Sequence, residues 1–347
     1  MLYDANALRR FAADVFQKTG LSSDDARLFA DSLIEAELRG VGSHGLTRLK
    51  AYARRIEQGL IDAKALPQVV QSAPSLLLID ACNAAGVCAA YRAMQLCINR
   101  AAETGACFAA VFGGNHFGIG AYFSSLAAKS GMIGFAATNA PAQMAPTGGR
   151  KARLGTNPIA ISIPAGARRP FCLDMATSVV ARGKVTLAEK EGNPIPEGWG
   201  IDAGGNPTTD PAAVACMLPF GGAKGYGIAL AVEMLCSCLA GAATGTAMGS
   251  LYDFSGKLQN VGFFLGAINI SSILPREEFG SRMDSLIDSV KACPRAAGSE
   301  EIFIPGEIED RRAADARKAG IAIPDAVLAE LRELSAQYRI PFSCEAN

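Results

Sequence analysis

The chain has only two histidines, His44 and His116, and both fall in glycine-rich turns, not on apolar helix faces. An imidazole titrates near neutral pH, and turns on a rigid scaffold carry much of a protein's chemistry, so both are candidates for proton transfer. The first turn reads Gly42-Ser43-His44-Gly45, with Arg48 and Tyr52 following. Four residues apart on a helix starting near Leu46, Arg48 and Tyr52 share the face beside His44. A guanidinium clamps a carboxylate through paired hydrogen bonds, and an adjacent imidazole exchanges a proton with a neighbouring oxygen. The alternative is a capped helix with a solvated arginine.

The second turn, Gly113-Gly114-Asn115-His116-Phe117-Gly118-Ile119-Gly120, lies between a strand and a helix. Its glycines permit close approach of backbone to a ligand, and the helix N-terminus favours an anion such as a dinucleotide pyrophosphate. Ala121, Tyr122 and Phe123 follow, so the third glycine of a GxGxxG fingerprint is missing, and no other stretch restores it. A Rossmann crossover is therefore not supported. Asp174-Met175-Ala176-Thr177-Ser178 closes a strand-like run and leads into Arg182-Gly183-Lys184. An acid at a strand end meets ribose hydroxyls or caps a helix. Pro219-Phe220-Gly221-Gly222-Ala223-Lys224-Gly225 puts a lysine where an apolar helix begins. A cation entering a core needs an anionic partner, and a cofactor phosphate is one candidate. Glu233, nine positions on, is too distant for an i, i+4 contact.

These groups need elements to position them. Ser22 or Ser23 caps a helix with Ala26, Phe29, Ala30 and Leu33 on one face and Gly40 as its stop. A second helix is expected over residues 46–58. From residue 75 strands and helices alternate: strands at 76–79, 107–112, 133–137, 159–163 and 171–174, with helices at 87–101 and 121–129. Residues 192–211 look like a long surface loop. Residues 224–240 are apolar nearly all round and are expected as a central buried helix. A strand over 261–270 precedes a helical tail, where Val327, Leu331, Leu334 and Tyr338 share a face and Asp325 is the expected cap. The expected organisation is a helical N-terminal lobe (1–73), an α/β cofactor-binding core (74–300), and C-terminal helices packing back on that lobe (301–347).

Composition narrows the classes. Of 347 residues, 50% are hydrophobic and 19% charged, enough apolar matter for a large core. The 33 basic and 33 acidic residues leave no net charge, so nothing favours nucleic acid or an anionic membrane as the main partner, and neither is expected. Ten scattered cysteines without a CxxC pair, beside two histidines, make a zinc site improbable and read as reduced core residues of a cytoplasmic protein. The amphipathic, acid-bearing start reads as neither a signal nor a transit peptide, and the apolar stretch 225–243, interrupted by Glu233, is too short to span a membrane.

Several words in fixed order resemble the malate/L-lactate dehydrogenase family of the second type, which also holds ureidoglycolate and sulfolactate dehydrogenases and piperideine/pyrroline-2-carboxylate reductases. They are Ser43-His44-Gly45 with Arg48, Asn115-His116-Phe117-Gly118, Leu154-Gly155-Thr156-Asn157-Pro158, Asp174-Met175-Ala176-Thr177-Ser178, Arg182-Gly183-Lys184-Val185, Leu218-Pro219-Phe220-Gly221-Gly222 with Lys224-Gly225, and Ile304-Pro305-Gly306-Glu307. The resemblance implies a non-Rossmann α/β sheet flanked by helices, a helical lobe from both chain ends, and a homodimer. It implies NAD or NADP as cofactor, no metal, and hydride transfer to or from a small 2-hydroxy or 2-oxo acid. It places His44, with Ser43, or His116 as the acid/base, and Arg48 and Thr156 on the carboxylate, with Tyr52 beside them. Gly120, Ala121, Tyr122, Asp174, Met175, Ala176, Thr177, Ser178, Lys224, Asn269, Pro305, Gly306 and Glu307 match cofactor-contacting positions. Lys184 stands where the imine reductases carry an acid, which favours an oxygen substrate and an ammonium beside the developing alkoxide. The rivals are a cyclic-imine reductase and an inactive binding protein on the same fold.

Overall fold

The computed structural model of the chain describes residues 1–345. Strand β1 (Leu2–Tyr3) leads into helices α1 (Ala5–Lys18), α2 (Ser23–Leu38) and α3 (Leu49–Glu57). Polar side chains set the starts of the first two: Asp4 accepts from the Ala7 amide at 2.7 Å, and Ser22 from that of Asp25 at 3.2 Å. Leu46–Arg48, expected as the first turn of the third helix, instead form a separate 3₁₀ turn. The apolar faces meet in a buried aromatic run, with Phe29 stacked on Phe16 at 4.3 Å and tilted against Tyr52 at 4.7 Å between centroids.

The remaining elements run β2 (Gln68–Ala73), β3 (Leu76–Asp80), α4 (Gly86–Thr104), β4 (Ala106–Gly114), α5 (Gly120–Lys129), β5 (Met132–Thr138), β6 (Ile159–Ile163), β7 (Phe171–Met175), α6 (Arg182–Glu191), β8 (Gly200–Ile201), β9 (Cys216–Met217), α7 (Ala223–Glu233), β10 (Val261–Asn269), α8 (Arg276–Lys291), α9 (Glu307–Ala319), β11 (Ile321–Ala322) and α10 (Asp325–Tyr338). Seven strands form one mixed sheet in the order β2-β3-β4-β10-β5-β6-β7. Only β3 and β4 are parallel, joined by α4 as the crossover such a pair requires. The long apolar strand β10 lies at the centre, antiparallel to β4 and β5.

Strand alternation gives the sheet two covered faces. Phe263 and Leu265 join the main core with α4, while Phe264 points the other way, toward Val232 of α7 and Cys236 just beyond it. The stretch expected as a helix buried all round is α7 followed by a π-helical turn, Met234–Leu239. The sheet covers only one of its sides, and on the other Ile228, Met234 and Leu239 remain 40%, 50% and 60% exposed. The 192–211 loop carries β8, which pairs with β9.

At the chain ends β1 pairs with β11, α9 packs on α2, and α10 packs on α1 and α3. Asp325 is the first helical residue of α10 and makes no capping hydrogen bond; Pro324 holds the cap position. Among the described residues no helix is long and apolar enough to cross a membrane, and no group of three or more metal-ligating side chains occurs.

Candidate active site

Register places most of the candidates along one end of the sheet. Gly114 at the end of β4 pairs with Val261 at the start of β10, Phe263 with Thr138 at the end of β5, Ala137 with Ile159 at the start of β6, and Ile159 with Met175 at the end of β7. The chain leaves β4 into the His116 turn and β7 into Ala176-Thr177-Ser178, and it enters β6 from Thr156-Asn157. Four interstrand steps separate β4 from β7, about 19 Å at the usual spacing.

Each residue of the His116 turn has a physical task. Asn115 is fully buried, and its Nδ2 donates to the carbonyls of Asn83 and Ala84 and to the Asn83 side chain. Phe117 stacks on Phe123 and Phe263, each at 4.9 Å. Gly118 takes the left-handed conformation, φ +86°, that turns the chain into α5. Gln259 Oε1 accepts from the His116 amide at 3.1 Å. The imidazole is thereby fixed. Its Nδ1 lies 2.5 Å from Tyr52 Oη and accepts from the Gly118 amide at 3.3 Å. An amide only donates, so Nδ1 holds a lone pair and the ring proton sits on Nε2. Tyr52, expected to touch substrate, is fully buried beneath His116 and serves as its partner.

The second imidazole arrives from the helical lobe. His44 stacks on His116 with ring centroids 5.5 Å apart and planes 26° off parallel. Its Nδ1 is 3.0 Å from Oγ of Ser43, an exposed residue. The Arg48 Nε donates to the Ser43 carbonyl at 2.8 Å, and its guanidinium lies 5.6 Å from the Tyr252 ring centroid. Both Arg48 Nη nitrogens lack a protein hydrogen bond among the described residues, so the outer edge of the fork is available to a carboxylate. Burial, and then the Arg48 charge, lower His44 to about 3. Burial, Arg48 and His44 in that order hold His116 well below the ordinary histidine range. Both rings are neutral near pH 7. Under the turn, Glu37 Oε1 accepts from the Leu46 amide at 2.7 Å, and burial pushes its carboxyl up to about 7.

A second cluster lies across the first turn of α5. Asp174 Oδ2 accepts from the Ala121 amide at 2.7 Å; the residue is exposed overall, and the protein packed round its carboxyl pushes that group up to about 6. Gly120 is buried against β6, where a Cβ would meet that of Ala160 at 2.8 Å. Tyr122 Oη donates to Asp31 at 2.9 Å. The Pro305 carbonyl accepts from the Cys172 amide at 2.9 Å, and Gly306 packs on Cys172, which brings Pro305-Gly306 beside β7. Glu307 is engaged internally, accepting from the Ile304 amide at 3.0 Å and pairing with Lys291 at 2.8 Å. Thr177 and Ser178 are buried, their hydroxyls donating to the carbonyls of Thr156 and Val180. They shape the exit from β7 beside Met175 and Ala176. The Phe220 amide donates to the Thr177 carbonyl, which brings the start of α7 and exposed Lys224 to the same end.

One expected residue lies apart, and a second makes no bond to the imidazoles. Asn269 ends β10 opposite Met132, at the far end of the strand from Val261, and its Oδ1 accepts from the Ser271 amide at 3.1 Å. It closes a turn and does not join the other candidates. Lys184 is exposed on α6, and among the described residues no hydrogen bond or ion pair links it to either imidazole. The sequence reading also passed over Glu37 and Gln259. The glycines flanking Ser43-His44 were the available signal for the first, because they leave space for a neighbour. Gln259 gave none, lying 143 residues from its partner.

A mixed α/β sheet that gathers a neutral imidazole pair, a guanidinium edge without a protein hydrogen bond among the described residues and a strand-end carboxylate defines a non-Rossmann enzyme fold. The chain belongs to the malate/L-lactate dehydrogenase family, whose sequence model matches residues 3–332. It is 40% identical to L-sulfolactate dehydrogenase of Methanocaldococcus jannaschii over 94% of each chain. The solved structure of that organism's sulfolactate dehydrogenase superposes with a TM-score of 0.92, at 38% identity and 98% coverage of both chains. Malate dehydrogenase from Entamoeba histolytica gives 0.94, at 31% identity and 99% of both. Δ1-piperideine-2-carboxylate reductase from Pseudomonas syringae gives 0.86, at 29% identity, over 96% of this chain and 99% of that one.

Proposed function

We propose that this oxidoreductase transfers a hydride between NAD(P) and a small 2-hydroxy or 2-oxo carboxylate, with His44 as the proton-transferring group. The observation that carries the reading is the stacked pair of neutral imidazoles beside the open edge of Arg48. The cofactor fits the residues at the sheet end. Asp174, open at a strand end, offers acceptors to ribose hydroxyls, and Pro305-Gly306 brings bare backbone beside it. The span from β7 back to β4 suits an extended dinucleotide ending near His116. Bound NAD(P) supplies the hydride acceptor or donor at nicotinamide C4.

The chain's own residues do the rest. Arg48 holds the substrate carboxylate through its two Nη nitrogens, which fixes C2 and its oxygen against the imidazoles. His116, with its proton on Nε2 and Tyr52 behind Nδ1, donates a hydrogen bond to that oxygen. In oxidation the C2 hydroxyl gives its proton to His44 Nε2 as the C2–H bond breaks and the carbonyl forms. Reduction returns the same proton. With its Nδ1 proton donated to Ser43 Oγ, His44 keeps the Nε2 lone pair, whereas Nδ1 of His116 is an acceptor and its Nε2 already holds the proton, so in oxidation His44 is the ring able to take the proton. Asp174 sets a carboxylate against the extra phosphate of NADP and so favours the ribose hydroxyls of NAD; of the charges near it, the Arg39 guanidinium is paired with Asp310 and Glu309 adds to the negative side. A homodimer belongs to the same reading, supported by the exposed apolar side of α7.

A panel of 2-oxo acids, each with NADH and with NADPH, tests the function. The expected result is cofactor oxidation with an open-chain 2-oxo acid and a preference for NADH. Oxidation only with pyrroline-2-carboxylate would instead support the imine-reductase reading, which the likeness to the piperideine enzyme keeps in the comparison. His44→Ala should abolish turnover while the protein still binds NADH, and full activity would move the proton to His116.

A further inference from the structure

The glycines on either side of Ser43-His44 are explained by one buried acid. Glu37 sits in the last turn of α2, and its Oε1 accepts from the Leu46 amide at 2.7 Å. A Cβ built on Gly45 would lie 2.2 Å from that oxygen, and one on Gly42 would lie 3.1 Å from Oε2. Neither glycine serves a left-handed backbone: Gly45 has φ −96°, and Gly42 is not among the glycines of positive φ. The turn is wrapped round the carboxylate with no room for a side chain between them. The hydrogen bond ties the end of α2 to the residue just past Gly45, so Ser43 and His44 lie inside a closed loop. The turn is also tied by backbone bonds, His44 N to Val41 O at 2.9 Å and Gly45 N to Gly42 O at 3.1 Å, and by Arg48 Nε to the Ser43 carbonyl at 2.8 Å, but of these contacts only that of Glu37 reaches it from α2 through a side chain.

We infer that Glu37 is the positioning residue for His44, holding the turn so that this imidazole stands over His116 beside Arg48 without itself touching substrate. The inference rests on the reading of His44 as the proton-transferring group. The acid acts as an acceptor oxygen for the Leu46 amide. Burial raises its carboxyl to about 7, and a glutamine keeps both its size and the oxygen that accepts from the Leu46 amide. The cofactor cluster is built on β7, the start of α5 and the Pro305-Gly306 turn, outside this loop. Loss of Glu37 therefore separates turnover from cofactor binding, which a general loss of stability would not do.

The test compares Glu37→Ala, Glu37→Gln, Gly45→Ala and the Glu37→Ala/Gly45→Ala double variant by steady-state reduction of the active 2-oxo acid and by NADH fluorescence titration. Displacing a reacting group by about 1 Å costs on the order of a hundredfold, so Glu37→Ala should lower kcat about 10- to 100-fold. Its NADH Kd should move less than about threefold, and Glu37→Gln should recover kcat to within about fivefold of the parent. Gly45→Ala should fall as far as Glu37→Ala, and the double variant no further than either, because both changes disturb one contact. If Glu37→Ala does not fold, Glu37→Asp takes its place: it keeps the acid but withdraws it from the Leu46 amide, and the same loss of kcat is expected. Parental kcat in the alanine or aspartate variant overturns the inference, as does a glutamine variant as impaired as the alanine one. Parental turnover in His44→Ala would instead overturn the reading beneath it, so the two failures are distinguishable.

Discussion

Arg48 acts on the protonation of both rings, and in the proposed reaction it also clamps the carboxylate. After burial, its charge is the next cause depressing His44 and His116. A substrate carboxylate on the Arg48 fork offsets that charge, so both imidazoles bind a proton more readily in the complex than in the free enzyme. For the oxidative reaction the base must be neutral, and protonation produces the acid limb of the rate profile. The acid limb of kcat, which reports the complex, should therefore lie at higher pH than that of kcat/KM, which reports the free enzyme. Coincident limbs across a series of hydroxy acids would refute the coupling. Stability follows with the opposite emphasis. Both folded-state values lie below the ordinary 6.5, so the imidazoles' contribution is complete above about pH 6.5 and is lost as pH falls toward their folded values, at about 1.4 kcal/mol per pH unit for each ring. Denaturant titrations between pH 6.5 and 4.5 should show His44→Gln with a shallower decline than the parent. The histidines were legible in the sequence because there are only two and both sit among glycines. Their partners were not: Tyr52 meets His116 across 64 residues and Gln259 across 143, and no local pattern announces a contact that only the fold creates.

The loop before β10 owes its place to one helix residue. Arg55 of α3 is fully buried, and although the Asp253 charge lies near it, its hydrogen bonds go to backbone carbonyls and not to a carboxylate. Its guanidinium donates to three carbonyls, of Ser250 at 3.2 Å, Asp253 at 2.6 Å and Lys257 at 3.3 Å. The loop so pinned carries Tyr252 beside Arg48 and leads into Gln259 behind His116. Arg55→Met keeps the stem but leaves those carbonyls without a donor, at a cost of about 3 kcal/mol. It should lower the urea midpoint and also raise KM for the acid while changing NADH binding little. A variant with a lower midpoint and an unchanged KM would confine Arg55 to stability. Arg55 was not singled out from sequence, since on a helix of alternating charge it reads as a solvated side chain. Regular elements were easier. β4, β5, β6, β7 and β10 were expected within a few residues because long apolar runs between glycines leave little choice. The hairpin strand β2 was missed because every residue in it is exposed, leaving no alternation to read. Strand order was also beyond reach: β10 inserts between β4 and β5, and that pairing depends on which faces α4 and α7 cover.

Over the whole molecule, the unexplained surface is the outer side of α7 and its π-helical extension. Gly227, Ile228, Ala231, Met234, Cys238 and Leu239 recur there at helical spacing, and all are exposed. This is the stripe whose apolar character suggested a helix buried on every side. Sequence hydrophobicity records burial in the functional particle, and one chain supplies a cover for only half of this helix. A contiguous exposed apolar stripe is the kind of surface that interfaces use, and a two-fold axis across it would pack the stripe on its own copy. In the proposed homodimer, Met234→Glu places an uncompensated carboxylate in the interface from each chain. Loss of the buried side chain and the cost of the charge together reach at least about 3 kcal/mol, or about a hundredfold in the dimer dissociation constant. Sedimentation at micromolar concentration should show the parent as a dimer and Met234→Glu shifted toward monomer, with folding retained because the substituted side chain already faces outward in the single chain. A monomeric parent would remove α7 as an interface, and a dimeric Met234→Glu with an unchanged dissociation constant would place the two-fold contact on another face.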